Sequence, residues 1–198
     1  MPISESQARS ILSPFLPAIY DAVAYGWNEY IMGIGDWGPD MTERSRASIV
    51  HDLTIRSAIQ QLDGVSGVRV EERNRLFLFI FEDLIALRFK KLDDEKRSCN
   101  IPTQVTLDFL AQQEIPGIPS TLHLEAGYVL NKLQSVIEGV FMVCPSRDRV
   151  RWFWELQGPA LGQVVQLPAA PLQPQPSIFQ LFQTEPSLQQ EQDGSEEQ

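Results

Sequence analysis

Six consecutive apolar residues, Leu76-Phe77-Leu78-Phe79-Ile80-Phe81, constrain the fold of this chain more than any other stretch. Phenylalanine and isoleucine suit a pleated, covered surface, and a run without polar alternation needs cover on both faces. It falls well short of the ~20 apolar residues that a membrane-spanning helix requires. Ile85-Ala86-Leu87-Arg88-Phe89-Lys90 follows, apolar at 85, 87 and 89 and polar at 88 and 90, the period of a strand. Between them, Glu82-Asp83 reads equally as a hairpin turn or as the middle of one long strand. A helix over 75–92 is the competing assignment.

Upstream, residues 1–63 read as helical. Ser4 caps a short helix over 5–12, Ser13-Pro14 breaks it, and Pro17 opens a second at no cost in hydrogen bonds. Ile19, Val23, Trp27, Tyr30 and Ile31 give that helix an apolar face, and residues 33–39 end it. Thr42 caps a third helix, with Ile49, Leu53, Ala58, Ile59 and Leu62 as its stripe and Asp63-Gly64 as its stop. Val65, Val68 and Val70 begin the strands, with a turn at Asn74. After a charged loop at 93–97, Thr103 caps a short helix that turns Leu107, Leu110 and Ala111 inward. The last third is a meander over 121–130, 135–144 and 149–156, its final turn at Pro145-Ser146-Arg147-Asp148. In the last strand, Val150, Trp152 and Trp154 share one face, with Arg151, Phe153 and Glu155 on the other. This order predicts an α+β domain over 1–156: an antiparallel sheet of about five to six strands with N-terminal helices packed on one face.

Beyond Leu156 the composition changes. Residues 157–198 hold no Lys or Arg, five acids, six prolines and eleven glutamines, too little apolar surface to offset ordering entropy. They read as a disordered tail broken by one apolar island, Ile178-Phe179-Gln180-Leu181-Phe182. Ile178, Phe179, Leu181 and Phe182 are therefore candidates for docking on a partner, or on the protein's own surface. The whole chain has a net charge of −10, which argues against general nucleic-acid binding and against a basic lipid-binding patch. Two cysteines and a start without a basic segment and apolar run predict neither a disulfide framework nor a signal peptide. A cytoplasmic setting follows, with no membrane association; oligomeric state is open.

Signatures of known chemistry are missing: no phosphate loop, no dinucleotide fingerprint, no paired zinc ligands and no nucleophile elbow. No cofactor and no metal are expected. Helical spacing brings Arg44 toward His51 and Asp52, with Arg46 nearby, a general base beside an anion clamp; ordinary surface ion pairs around a half-buried imidazole explain the same pattern. Arg88, Lys90 and Lys91 follow Glu82 and Asp83 in a manner resembling a metal-dependent nuclease, but no acid sits two positions before either lysine. Thr103, Gln112, Gly127 and Tyr128 are a third group, equally explained by caps and packing. The four tryptophans form a stacking platform or, more simply, core.

The stretches Arg44–Asp52, Arg88–Asp93 and Ile101-Pro102-Thr103, with Gln112, Pro116-Gly117 and Gly127-Tyr128, resemble a group of uncharacterised bacterial proteins. Those are encoded beside small regulators of the XRE or metalloprotease-linked type, an arrangement typical of toxin–antitoxin or defence pairs. The resemblance covers about residues 15–156 and lends no catalytic residue; it implies a dedicated protein partner. The leading expectation is a cytoplasmic protein-interaction or regulatory protein. The alternatives are an enzyme acting on an anionic nucleotide or RNA through His51, Arg44, Arg46 and Arg88, and an acidic DNA-mimicking inhibitor.

Overall fold

In the computed structural model, the described residues are 3–34, 38, 40–73, 76–98, 103–118, 121–147 and 149–158. Tail residues 159–198, with the apolar island, and Trp37, Asn74 and Cys99 lie outside them. The elements are α1 (Glu5–Leu12), α2 (Leu16–Ile34), α3 (Glu43–Leu62), β1 (Val68–Arg73), β2 (Leu76–Phe81), β3 (Ile85–Lys91), α4 (Gln104–Leu110), β4 (Leu122–Leu130), β5 (Ile137–Ser146) and β6 (Arg149–Leu156). Six strands lie in the order β1-β2-β3-β4-β5-β6. The expected α+β architecture is present. Four neighbour pairings are antiparallel, and β3–β4 is parallel, with α4 in the connection between them. No helix among the described residues is long and apolar enough to cross a membrane.

Local signals place the helices. Ser4 and Gln7 close a reciprocal capping box at α1, and Thr42 and Thr103 cap α3 and α4. Each helix then turns its inner face through a slightly different angle from the one the apolar stripe suggests. In α2, Ile19, Val23, Trp27 and Tyr30 are buried, whereas Ile31, the next position around, is 48% exposed. In α3 the buried line is Val50, Thr54, Ile55, Ser57, Ala58 and Leu62, with Ile49, Leu53 and Ile59 at its flank. In α4, Phe109 is the inward residue and Leu107 points outward. Small polar side chains at the α2–α3 contact allow close approach, so the packed line in α3 is less apolar than its flank.

The run 76–81 is a strand covered on both sides, and Glu82-Asp83 is a hairpin turn. Both take left-handed backbone, φ 51 and 53, and Leu84 N–H donates to Phe81 O at 2.9 Å. Phe79, Phe81, Leu87 and Phe89 enter the main core with α1–α3, Leu124, Ala126, Tyr128, Met142 and Trp154. Leu78 and Ile80 face the other way, against Phe109, Ile115 and Ile118. One face assignment in β6 differs from the expected alternation. A register shift between Cys144 and Pro145 inserts a residue, so Val150 packs with Leu92, Val129 and Val143 instead of with Trp152 and Trp154. The turn before β6 is correspondingly shorter, with Pro145 and Ser146 inside β5.

Candidate functional site

Strand alternation that sends Leu87 and Phe89 into the main core turns Arg88 to the opposite face, beneath α4. The parallel register sets Arg88 beside Glu125. Arg88 Nε and Nη2 both donate to Glu125 Oε1, at 2.9 and 2.6 Å, and Ser98 Oγ donates to the same oxygen at 2.9 Å. The guanidinium also lies 4.0 Å from the centre of the Phe109 ring. Arg88 and Glu125 are 1% and 0% exposed. Burial pulls Arg88 below its ordinary pKa, and the Glu125 carboxylate opposes that shift. Glu125 Oε2 is buried and has no hydrogen-bond partner.

Glu125 also lines a cavity of about 370 Å³. Its wall combines Asp93 and residues 96–98 of the loop with the β5–β6 turn, bringing Lys96, Arg97, Arg147 and Arg149 together beside the Asp93 carboxylate. Arg97 is engaged by Asp93 at 3.1 Å and Glu95 at 2.9 Å, and Lys96 sits 4.5 Å from the centre of the Phe141 ring. Arg147 and Arg149 are exposed and have no carboxylate partner among the described residues. A basic rim thus stands over a half-satisfied buried carboxylate.

Gln112, in left-handed backbone at φ 59, braces the neighbouring wall. Its side chain donates to His123 O at 2.8 Å and Pro145 O at 3.2 Å, and accepts from His123 N at 2.8 Å. His123 stacks on Phe109, ring centres 4.6 Å apart. Its Nδ1 lies 3.1 Å from Phe109 O, and because a carbonyl only accepts, Nδ1 carries the proton. Burial lowers the pKa of His123 against the Phe109 carbonyl, which raises it, and burial likewise lowers that of His51, helped by Lys90. The sign follows from linkage: the unfolded chain takes up these protons near its ordinary value of 6.5, and the folded chain resists. Stability is therefore full above that pH and falls below it, by up to about 1.4 kcal/mol per pH unit per histidine. Urea midpoints at pH 7.5 and 5 are expected to differ less in His123→Phe, which keeps the stacking, than in the wild type.

The residues that helical spacing suggested do not converge. His51 is half-buried on α3, facing a pocket of about 10 Å³ between that helix and the sheet. Arg44 and Asp52 are exposed and Arg46 partly so, and no ion pair among the described residues joins either arginine to Asp52. Arg88 lies across the sheet from them, bound to Glu125. The nuclease-like pattern is likewise not assembled: Asp83 pairs with Arg69 at 3.0 Å, and Lys91 turns to Gln134 at 2.8 Å. Thr103 is a cap and Gln112 a brace. A Cβ at Gly127 would lie 2.6 Å from Leu92 Cγ, so this glycine permits close strand approach. Burial raises the Tyr128 hydroxyl far out of the physiological range. Trp27 and Trp154 are core, and half-buried Trp152 stacks on Trp154 at 5.5 Å. Cys144 is buried, its thiol pushed up to about 11 by burial, which leaves it unreactive. Among the described residues no group of acids, histidines or cysteines could hold a metal.

Glu125, the centre of the site, belongs to no sequence motif. Its signal is that it is the one acid in Leu-His-Leu-Glu-Ala-Gly-Tyr-Val-Leu, a strand otherwise rich in covered apolar positions. Compared with known proteins, the chain matches no family model, no curated protein and no solved structure.

Proposed function

We propose that the chain is a regulatory protein-interaction module that takes an extended acidic segment of a partner protein along β6. The observation that carries this reading is the contrast between the two sheet edges. β1 is six residues long and its Arg69 is paired with Glu71 and Asp83, the self-satisfied charge pattern that discourages strand addition. β6 is eight residues long, with Val150, Trp152, Phe153 and Trp154 β-favouring, ends the sheet, and exposes Arg149, Arg151, Glu155 and Phe153, the last by 49%. With Arg147 in the preceding turn, this is a basic and aromatic edge on a chain whose net charge is −10. Backbone pairing along such an edge supplies affinity, and the arginines select an acidic strand. A dedicated partner, as in a toxin–antitoxin or defence pair, is what the sequence resemblance to proteins encoded beside small regulators implies.

A photo-crosslinking side chain at position 153 of the full chain, in the native cell, is expected to capture one acidic protein. The same group at position 72 on β1 should not. Affinity for the captured protein should fall at least about tenfold in Arg151→Glu, with a strong dependence on salt. Capture from neither edge, or only of a second copy of this chain, overturns the reading.

A further inference from the structure

The cavity beside Glu125 has a chemistry distinct from backbone pairing along β6, although Arg147 and Arg149 serve both. A volume of about 370 Å³ lies within the range of small-molecule sites. Three donors crowd onto Glu125 Oε1, from Arg88 and Ser98, while Oε2 is buried and bare. A buried acceptor without a donor is costly, so whatever enters gains by supplying one. That donor should be neutral. Arg88 already balances the carboxylate charge, and Lys90 stands close enough to Arg88 and Glu125 for its own pKa to respond to both, after burial has lowered it. A second cation on Oε2 would meet this positive surround. At the rim the demand is opposite, because Arg147 and Arg149 lack carboxylate partners among the described residues, and guanidinium groups match phosphate and carboxylate alike.

We infer that this cavity binds a small organic anion, a phosphate or carboxylate, that also carries a neutral hydroxyl or amino donor. The donor reaches Glu125 Oε2 and the anionic group lies at Arg147 and Arg149. A bare anion satisfies only the rim, and a neutral polyol only the floor.

Calorimetric titration of the full chain tests this with defined probes. Ribose 5-phosphate and AMP carry phosphate with donors, gluconate carries carboxylate with donors, and methyl phosphate and acetate carry the anionic group without a comparable donor array. At least one donor-bearing probe should bind tenfold or more tightly than the bare anion of its own class, and the better arm identifies the anionic group. Arg147→Glu, an exposed turn substitution, should abolish that binding. Glu125→Gln, checked for folding by circular dichroism, should erase the tenfold preference, because the amide offers a donor where an acceptor is required. Should Glu125→Gln fail to fold, the comparison of probes on the wild-type chain decides alone. Equal affinity for bare and donor-bearing anions, or no binding of any probe at millimolar concentration (a cavity filled by water only), overturns the inference.

Discussion

Replacing Arg88 with methionine is expected to lower folding stability by about 3–5 kcal/mol, measured as the urea midpoint at pH 7.5 with an unchanged slope. The substitution leaves the Glu125 carboxylate, 0% exposed, with Ser98 as its donor and no balancing charge at Oε1. Glu125→Leu leaves the complementary problem, a guanidinium buried against Phe109 with its acceptor gone. The informative variant is the double substitution, which removes both charges and fills the space with apolar atoms. It should return to within about 1–2 kcal/mol of the wild type, because a buried pair gains little over a well-packed apolar replacement. If the double variant is as damaged as the sum of the singles, the loss comes from packing and not from an uncompensated charge.

Gly26→Ala should be the most damaging single-methyl change in the helical layer. Alanine normally favours a helix interior over glycine by about 1 kcal/mol. Here the added Cβ would lie 2.8 Å from the Thr54 backbone nitrogen and 3.0 Å from its Cα, so α2 and α3 must separate. The expected net loss is about 1–3 kcal/mol, a drop of about 3–10 °C in Tm by calorimetry. Thr54→Ala should cost little, since its buried hydroxyl has no partner to lose. Combining the two should recover only part of the loss, because the backbone of Thr54 stays in place. A more stable Gly26→Ala would show that the helices do not meet this closely.

What the sequence disclosed follows from how far each signal reaches along the chain. Caps at Ser4, Thr42 and Thr103 act within three residues, and those helix starts are where the spacing puts them. The run at 76–81 and the aromatic alternation at 149–156 are equally local, and both are strands. The 82–83 turn stayed ambiguous because its left-handed positions are filled by Glu and Asp, without the glycine that normally marks them. The inner faces of α2, α3 and α4 depend on what each helix meets, so Ile31 and Leu107 were misplaced although their helices were not. The site was the least legible part. Arg88 and Glu125 lie 37 residues apart and meet through a strand register, while Arg97 and Arg147 come from separate loops. No spacing rule connects such residues. His51 and its arginine neighbours, by contrast, stood out because they are close in sequence, which is a poor guide to convergence across a sheet.

The single parallel pairing divides the sheet into two meanders, β1–β2–β3 and β4–β5–β6, each built from strands consecutive in the chain. Every antiparallel join closes a short loop, but the β3–β4 join must first tie off the long crossover that carries α4. Loop-closure entropy makes that seam the slowest and least local strand pairing of the sheet to form. The buried ion pair sits on it. Arg88 and Glu125 thus belong to separate halves of the nascent sheet, and each charge stays in water until the halves zip together.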